Sequence, residues 1–104
     1  MSQEFELVVT VLEDEAVISV VGELDFSTAP RLREQILELL KGSTSNLVID
    51  VSRLDFVDSS GLGVLVAAMK RMRERKGRLM LRSPSANTSK VLQVSGLDKL
   101  LLVG

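Results

Sequence analysis

Hydrophobic positions near the amino terminus follow a two-residue period. Apolar side chains recur at every second position from Phe5 to Val11, and a second apolar segment runs from Ala16 to Val21. A period of two predicts β-strands. The charged break at Glu13 to Glu15 separates the two segments, so they are expected to form an antiparallel hairpin at the edge of a sheet.

Later segments carry apolar residues at a helical spacing. The first helix is expected to begin near Thr28, where a hydroxyl cap precedes a proline in the first turn, and to end at Gly42. The second helix is predicted from about Ser60 to Lys76. The third has its clear part from Lys90 to Val94 and ends at Gly96.

Short apolar segments between the helices predict further strands, at Leu47–Val51, Arg78–Arg82 and Leu100–Val103. The residues between Val51 and Ser60 are interpreted as a connection. Alternation of strands and helices implies right-handed crossovers and a largely parallel sheet. We therefore predict an α/β fold: a mixed, mainly parallel sheet with an N-terminal antiparallel hairpin and helices packed mainly on one face. No Pro/Gly/Ser-rich linker divides the chain, so residues 1–104 are expected to form one domain.

Composition excludes several classes of function. The net charge of −1 gives no general attraction to nucleic acid or to an anionic membrane. The chain has no Cys, which is typical of a cytosolic protein, and no His, the usual general base and the commonest metal ligand. We expect a protein that is not an enzyme and holds no cofactor or metal of its own.

A basic stretch from Lys70 to Arg82 has two interpretations. A nucleic-acid surface would need aromatic stacking partners, but the whole chain has only three Phe and no Trp or Tyr. Cations near the carboxyl end of a helix complement its dipole. A solvated helix end is therefore the favoured interpretation.

The segment Asp58-Ser-Ser-Gly-Leu-Gly63 is the main candidate for chemistry. It places two adjacent hydroxyls at a predicted helix start, where unsatisfied N–H groups and the helix dipole favour an anion. One interpretation is a helix cap, because Asp and Ser are both good N-caps. The other is a serine that accepts a phosphate. The two are compatible, since only one of Ser59 and Ser60 can be the cap.

A built-in nucleotide site is a weaker alternative at the same segment. The third glycine of the dinucleotide fingerprint is replaced by Val66, and no Gly-Lys-Ser/Thr follows. Gly61 and Gly63 instead remove side chains from the first helical turn. Another protein could then approach the hydroxyls closely.

A second polar loop follows the second strand and contains Asp25. It could be only a polar loop with an Asx-type turn. However, loops at the carboxyl ends of parallel strands cluster at one edge of the sheet. The loops after Val21 and Val51 could both lie there, and Asp25 would then be close to Asp58 and Ser59.

Four segments in order along the chain resemble a known family. They are Gly-Glu-Leu-Asp at 22–25, Leu-Val-Ile-Asp at 47–50, Phe-Val-Asp-Ser-Ser-Gly-Leu-Gly at 56–63 and Ser-Gly-Leu at 95–97. Together they resemble the anti-sigma factor antagonists of the STAS domain family. The resemblance covers nearly the whole chain, and the hexapeptide from Asp58 to Gly63 is its most specific part.

The resemblance implies a bacterial, cytoplasmic regulator of transcription that works by partner switching. The unphosphorylated antagonist would bind an anti-sigma factor that is also a serine kinase, and the sigma factor would be freed. The kinase, which supplies ATP and the Mg²⁺ site, would phosphorylate the first serine of the motif, here Ser59, and so be released. A serine phosphatase would reset the protein. No direct contact with nucleic acid or membrane is implied.

Each candidate residue has an expected role. Ser59 is the predicted phosphoacceptor, and Asp58 and Ser60 shape the helix start. The close-contact surface is predicted at Gly61, Leu62 and Gly63, and the second loop offers Asp25 and Thr28 to the kinase. The alternatives are a scaffold or sensory STAS domain of a larger signalling assembly, and a nucleotide-binding domain that would bind ATP or GTP alone.

Overall fold

An antiparallel hairpin begins the sheet, as the alternation predicted. In the computed structural model, which describes residues 5–104, β1 spans Glu6–Leu12 and β2 spans Glu15–Leu24. The register pairs Leu12 with Glu15 across the turn. Residues 1–4, which the predicted domain also includes, lie outside the described residues.

The remaining elements follow in the predicted order, with one additional strand and a short 3₁₀ turn. They are α1 (Ala29–Leu39), β3 (Asn46–Asp50), β4 (Leu54–Val57), α2 (Ser59–Glu74), β5 (Arg78–Arg82), α3 (Ala86–Ser95), a 3₁₀ turn (Leu97–Lys99) and β6 (Leu102–Val103). Strand β4 is the additional strand, because the sequence was interpreted there as a connection. Its two central residues are exposed and its two outer residues buried, so it lacks the two-residue period of a half-buried strand.

The sheet is mixed and mainly parallel, which confirms the predicted fold class. Its strand order is β1-β2-β3-β5-β6, and β4 pairs with β2. Only the β1–β2 pair is antiparallel among the described strands. Strand β2 pairs with β3 up to Ser19 and with β4 from Gly22 onward. Gly22 has φ 102°, a conformation that glycine adopts without strain, and it lies where β2 changes partner.

The hydrophobic core lies on one face of this sheet. The register aligns Ile18, Ile49 and Leu81 in one row across β2, β3 and β5, and each is fully buried. All helices of residues 5–104 bury side chains in the same cluster, including Leu32 from α1, Leu65 and Met72 from α2, and Leu92 from α3. The prediction that the helices pack mainly on one face is confirmed. Within residues 5–104, no helix is long and apolar enough to cross a membrane.

Several helix limits differ from the predicted ones. Helix α1 ends at Leu39 rather than Gly42, and α2 runs from Ser59 to Glu74 rather than from Ser60 to Lys76. Lys76 has φ 59° and therefore cannot continue α2. Helix α3 begins at Ala86, earlier than its clear part, because the preceding serine caps it.

Candidate functional site

The start of α2 is held by Asp58, the single residue between β4 and the helix. Asp58 is the N-cap, and its Oδ1 accepts a hydrogen bond from the Gly61 N–H at 3.1 Å. Its own N–H donates to the Leu24 carbonyl at the end of β2, also at 3.1 Å. The expectation that one of Ser59 and Ser60 is the cap is therefore wrong. A carboxylate in the extended cap conformation reaches the N3 amide first, and both serines lie in the first turn of the helix.

Asp58 also joins the two loops that were expected to meet. Its Oδ2 accepts a hydrogen bond from the Phe26 N–H at 3.2 Å, across 32 positions of sequence. Phe26 directly follows Asp25, so the predicted proximity of these loops is confirmed. The strand that brings them together is β4 rather than β3, since β4 pairs with the last residues of β2.

The second loop is an Asx-type turn built on Asp25. Oδ1 of Asp25 accepts hydrogen bonds from the Ser27 hydroxyl at 2.7 Å and from the Ser27 and Thr28 N–H groups at 2.9 and 3.1 Å. These bonds hold the pKa of Asp25 below its ordinary value, and the bond from the Ser27 hydroxyl has the largest effect. The loop therefore presents a fixed carboxylate at neutral pH.

Thr28 lies at the N-cap position of α1 but does not cap the helix with its side chain. Its hydroxyl turns back into the loop, where it accepts from the Asp25 N–H at 2.9 Å and donates to the Glu23 carbonyl at 2.8 Å. The predicted hydroxyl cap of α1 is therefore wrong. The Thr28 hydroxyl holds the loop that carries Asp25.

The serine hydroxyls of α2 have a different environment. Ser59 and Ser60 are both exposed, and within residues 5–104 neither hydroxyl takes part in a hydrogen bond. Their N–H groups belong to the first helical turn, which has no intrahelical acceptors, and that turn contains no acidic residue. The positive end of the helix dipole is therefore open beside two free hydroxyls.

The two glycines of the motif serve different purposes. A Cβ at Gly61 would lie 2.7 Å from Leu24 Cγ and 2.9 Å from the Leu24 carbonyl oxygen. Gly61 is buried against β2, so its predicted place in the contact surface is wrong. Gly63 is exposed with nothing within 4 Å of an added Cβ, and it can offer an open surface. Leu62 is half-buried and packs against the core.

Two exposed aromatic side chains were missed in the sequence, one beside the site and one in the preceding strand. Phe26 is 76% exposed beside Asp58, and Phe56, in β4, is 49% exposed. Aromatic side chains are enriched in protein–protein interfaces. Little in the sequence indicated that these side chains are exposed. For Phe56 the exposure is evident only once β4 is recognised as a strand.

A groove between α1 and α2 leads away from the same turn. Its volume is about 310 Å³, its floor is apolar, and two arginines stand beside it. The lining includes Arg33, Ile36, Ser60, Gly63, Val64 and Arg71. Ser60 therefore faces this groove, whereas Ser59 does not line it.

The fold and the capped helix start define the class of protein. Residues 8–104 match the family model described as Mlab, STAS domain. The chain belongs to the STAS domain family.

Particular members of known function are similar over most of the chain. The anti-sigma-B factor antagonist of Listeria monocytogenes (serovar 1/2a) is 34% identical over 86 residues, which are 81% of this chain and 74% of the relative. Among solved structures, the anti-sigma factor antagonist SpoIIAA in its unphosphorylated form has a TM-score of 0.82 and 31% identity, over 97% of this chain and 88% of that one. The Bacillus cell fate determinant SpoIIAA in the phosphorylated form has a TM-score of 0.74 and 31% identity, over 97% and 91%.

Proposed function

We propose that this chain is an anti-sigma factor antagonist whose affinity for its anti-sigma factor is switched by phosphorylation of Ser59. The observation that carries the proposal is the exposed, unbonded Ser59 hydroxyl in the first turn of a helix that a carboxylate already caps. Two further facts support it. The relatives are named anti-sigma factor antagonists, and SpoIIAA has been solved both with and without phosphate.

Ser59 is preferred to Ser60 because the two hydroxyls have different surroundings. Ser60 lines the groove between α1 and α2, so a partner seated there would cover it. Ser59 is the first residue of α2 and lies outside that lining. A kinase can therefore reach Ser59 while its own surface contacts Gly63 and the groove.

Phosphorylation changes the charge of this surface without a need to refold it. A phosphoserine adds about −1.5 to −2 charge, beside the fixed carboxylate of Asp58 and the loop that carries Asp25. A partner that covers this surface must desolvate those like charges together. If this desolvation costs ~3 kcal/mol, the affinity for the partner falls roughly a hundredfold. In the free protein, the N–H groups of the first turn stabilise the phosphate.

The chain is the substrate in this scheme rather than an enzyme. Among the described residues, no side chain is hydrogen-bonded to the Ser59 hydroxyl, and the neighbouring carboxylate of Asp58 accepts from two backbone N–H groups instead. The anti-sigma factor would act as the kinase and supply ATP and Mg²⁺, and a serine phosphatase would restore the unphosphorylated form. The exchange would take place in the bacterial cytoplasm, with no direct contact to nucleic acid or membrane.

The test is reconstitution with candidate anti-sigma kinases from the same genome, ATP and Mg²⁺. We expect a complex with the unphosphorylated chain and, on turnover, one phosphate that mass spectrometry places on Ser59. Ser59→Ala should bind the kinase but remain unlabelled, whereas Ser60→Ala should be labelled.

Other outcomes would overturn parts of the proposal. A phosphate on Ser60 would make that residue the acceptor. A partner that binds both forms with equal affinity would favour the scaffold or sensory STAS domain. Micromolar binding of ATP or GTP to the chain alone, measured by calorimetry, would favour a nucleotide-binding domain.

A further inference from the structure

The face of the sheet that points away from the helices carries an apolar row. The register aligns one residue from each strand of the main path in this row: the apolar Val17, Val48, Met80 and Leu102, and the exposed Thr10 at the β1 end. Val48, at the centre, is buried by its neighbours but is not part of the helix-side core. Leu102, at the edge, is 48% exposed. This row, with the positions on either side of it, is called the outer face below.

One pair of opposite charges on the outer face is held apart within one chain, whereas Asp50 and Arg82, on the other side of the apolar row, form a salt bridge at 3.0 Å. The row toward the amino ends of the parallel strands aligns Glu15 in β2, Asn46 in β3 and Arg78 in β5. Glu15 and Arg78 are two strands apart, about 10 Å. Within residues 5–104, neither side chain forms a salt bridge. An acidic and a basic group are thus placed symmetrically about β3 without partners.

The strand order allows a second copy to satisfy both charges. Strand β3 is the middle of β1-β2-β3-β5-β6. A two-fold axis parallel to β3, between two stacked outer faces, places β2 of one copy over β5 of the other. Val48 then meets Val48 of the second copy, Val17 meets Met80, and Glu15 meets Arg78. In the third row the same axis brings Asp50 toward Asp50 of the second copy, and each of these carboxylates is paired with Arg82 of its own chain at 3.0 Å. Aligned sheets commonly pack in this way, and two-fold dimers are the commonest oligomers.

We propose that the outer face binds a second copy of this chain through these contacts. Each dimer contains the Glu15–Arg78 pair twice and one shared apolar row. The phosphoacceptor turn is at the start of α2, which packs on the opposite face of the sheet, so the dimer leaves Ser59 of both copies accessible. The dimer does not depend on the proposed function, and the experiments below need no anti-sigma factor.

The size of the outer face sets the expected strength. Five strands and three rows cover roughly 25 Å by roughly 15 Å. That is about half of the ~800 Å² per partner in a stable complex, so we expect a weak dimer. Its charge pairs are exposed at the rim and should weaken with salt.

Sedimentation equilibrium of the full chain tests whether the dimer exists. Over about 10 µM to about 1 mM, a range that brackets a weak interface, the average mass should rise from 11.4 kDa toward twice that value. A mass that stays at 11.4 kDa throughout would overturn the proposal.

Charge variants test whether the outer face is the interface. Arg78→Glu and Glu15→Arg should each weaken the dimer about tenfold or more, because like charges then face each other twice. The double swap should restore it, because opposite charges meet again. Lys70→Glu is the matched control, since it makes the same change in charge on α2. If Lys70→Glu weakens the dimer as much as Arg78→Glu, or the double swap does not rescue, the proposed interface is wrong. Circular dichroism checks that each variant is folded.

Discussion

The starts of α2 and α3 are built alike, but they use their hydroxyl groups differently. In each, the N-cap side chain accepts a hydrogen bond from the N–H three residues on: Asp58 from Gly61, and Ser85 from Thr88. At α3 the capping group is itself a hydroxyl. It also bonds the hydroxyl of Thr88 at 3.2 Å, and Thr88 is buried.

At α2 a carboxylate does the capping, and the hydroxyls of Ser59 and Ser60 are left exposed. In the motif Asp-Ser-Ser, capping the helix and presenting a free hydroxyl are therefore done by different residues, whereas a Ser cap would combine them. One residue holds the helix start in place, and the next can change its charge without loss of the cap. Under the proposed function, modification at Ser59 would alter binding, whereas changes at the α3 start would alter only stability.

The largest expected effect is on partner affinity. Under the proposed function, Ser59→Asp should weaken binding to the anti-sigma factor about a hundredfold, because a second carboxylate beside Asp58 must be desolvated in the complex. Ser85→Asp is the matched control: it adds the same charge at the other helix start, where Asp is also a good cap. Calorimetry should find its affinity within about twofold of the parent. Equal losses in the two variants would show that the two helix starts do not differ as proposed.

The next effect is on stability and concerns how closely α2 approaches β2. Gly61→Ala should lower the free energy of unfolding by about 2 kcal/mol, because the new methyl group would press on the Leu24 carbonyl, which cannot move aside. Gly63→Ala has open space and better helix propensity, so it should raise stability by up to ~1 kcal/mol. Urea unfolding of both variants measures the difference. A neutral Gly61→Ala would mean that α2 can shift away from Leu24 freely.

The caps themselves provide a smaller and more direct comparison. Asp58→Ala removes acceptors for the Gly61 and Phe26 N–H groups, and should cost about 2 kcal/mol. Ser85→Ala removes one cap bond and should cost about 1 kcal/mol. Thermal or urea unfolding checks the order of the two. If Ser85→Ala costs more than Asp58→Ala, the link between the two loops contributes nothing to the fold.

The differences between prediction and structure have local physical causes. The alternation from Ala16 to Val21 identified β2, but its continuation to Leu24 depends on Gly22, whose positive φ lets the strand change partners. Gly22 was interpreted as the point where the chain leaves the strand. The same misreading hid β4, which pairs only with that continuation.

The candidate site was easier to locate than to detail. Helical periodicity after Asp58 was enough to place the motif at a helix start. The clustering of loops at the carboxyl ends of parallel strands predicted that the Asp25 loop lies beside it, although the strand that joins the two loops, β4, was missed. The sequence could not identify the cap of α2, because the candidates differ by only one position and Asp and Ser have nearly equal cap preference. Likewise, the sequence alone did not distinguish Gly61, which is required for packing against Leu24, from Gly63, which is exposed.

The smallest expected effect is a shift in acid titration at the second loop. The Ser27 hydroxyl is the main cause of the lowered pKa of Asp25, so Ser27→Ala should raise that pKa toward its ordinary value. A carboxyl whose pKa is lowered by folding contributes stability that is complete above its unfolded pKa, about 4. That contribution is lost as the pH falls through the lower folded value. The parent should therefore keep the Asp25 contribution to a lower pH than Ser27→Ala.

NMR titration of the carboxyl groups measures this shift directly, and Asp50 is the internal reference. Its pKa is also lowered, first by the Ser52 N–H and further by the Arg82 guanidinium, and neither group is near Ser27 in sequence. Ser27→Ala should move the titration of Asp25 and leave that of Asp50 unchanged. If Asp25 did not move, the hydroxyl bond would not be what fixes its carboxylate. The loop would then be held at neutral pH by its backbone N–H groups and by Asp58. The conformation of the site would depend more strongly on Asp58, the cap of α2.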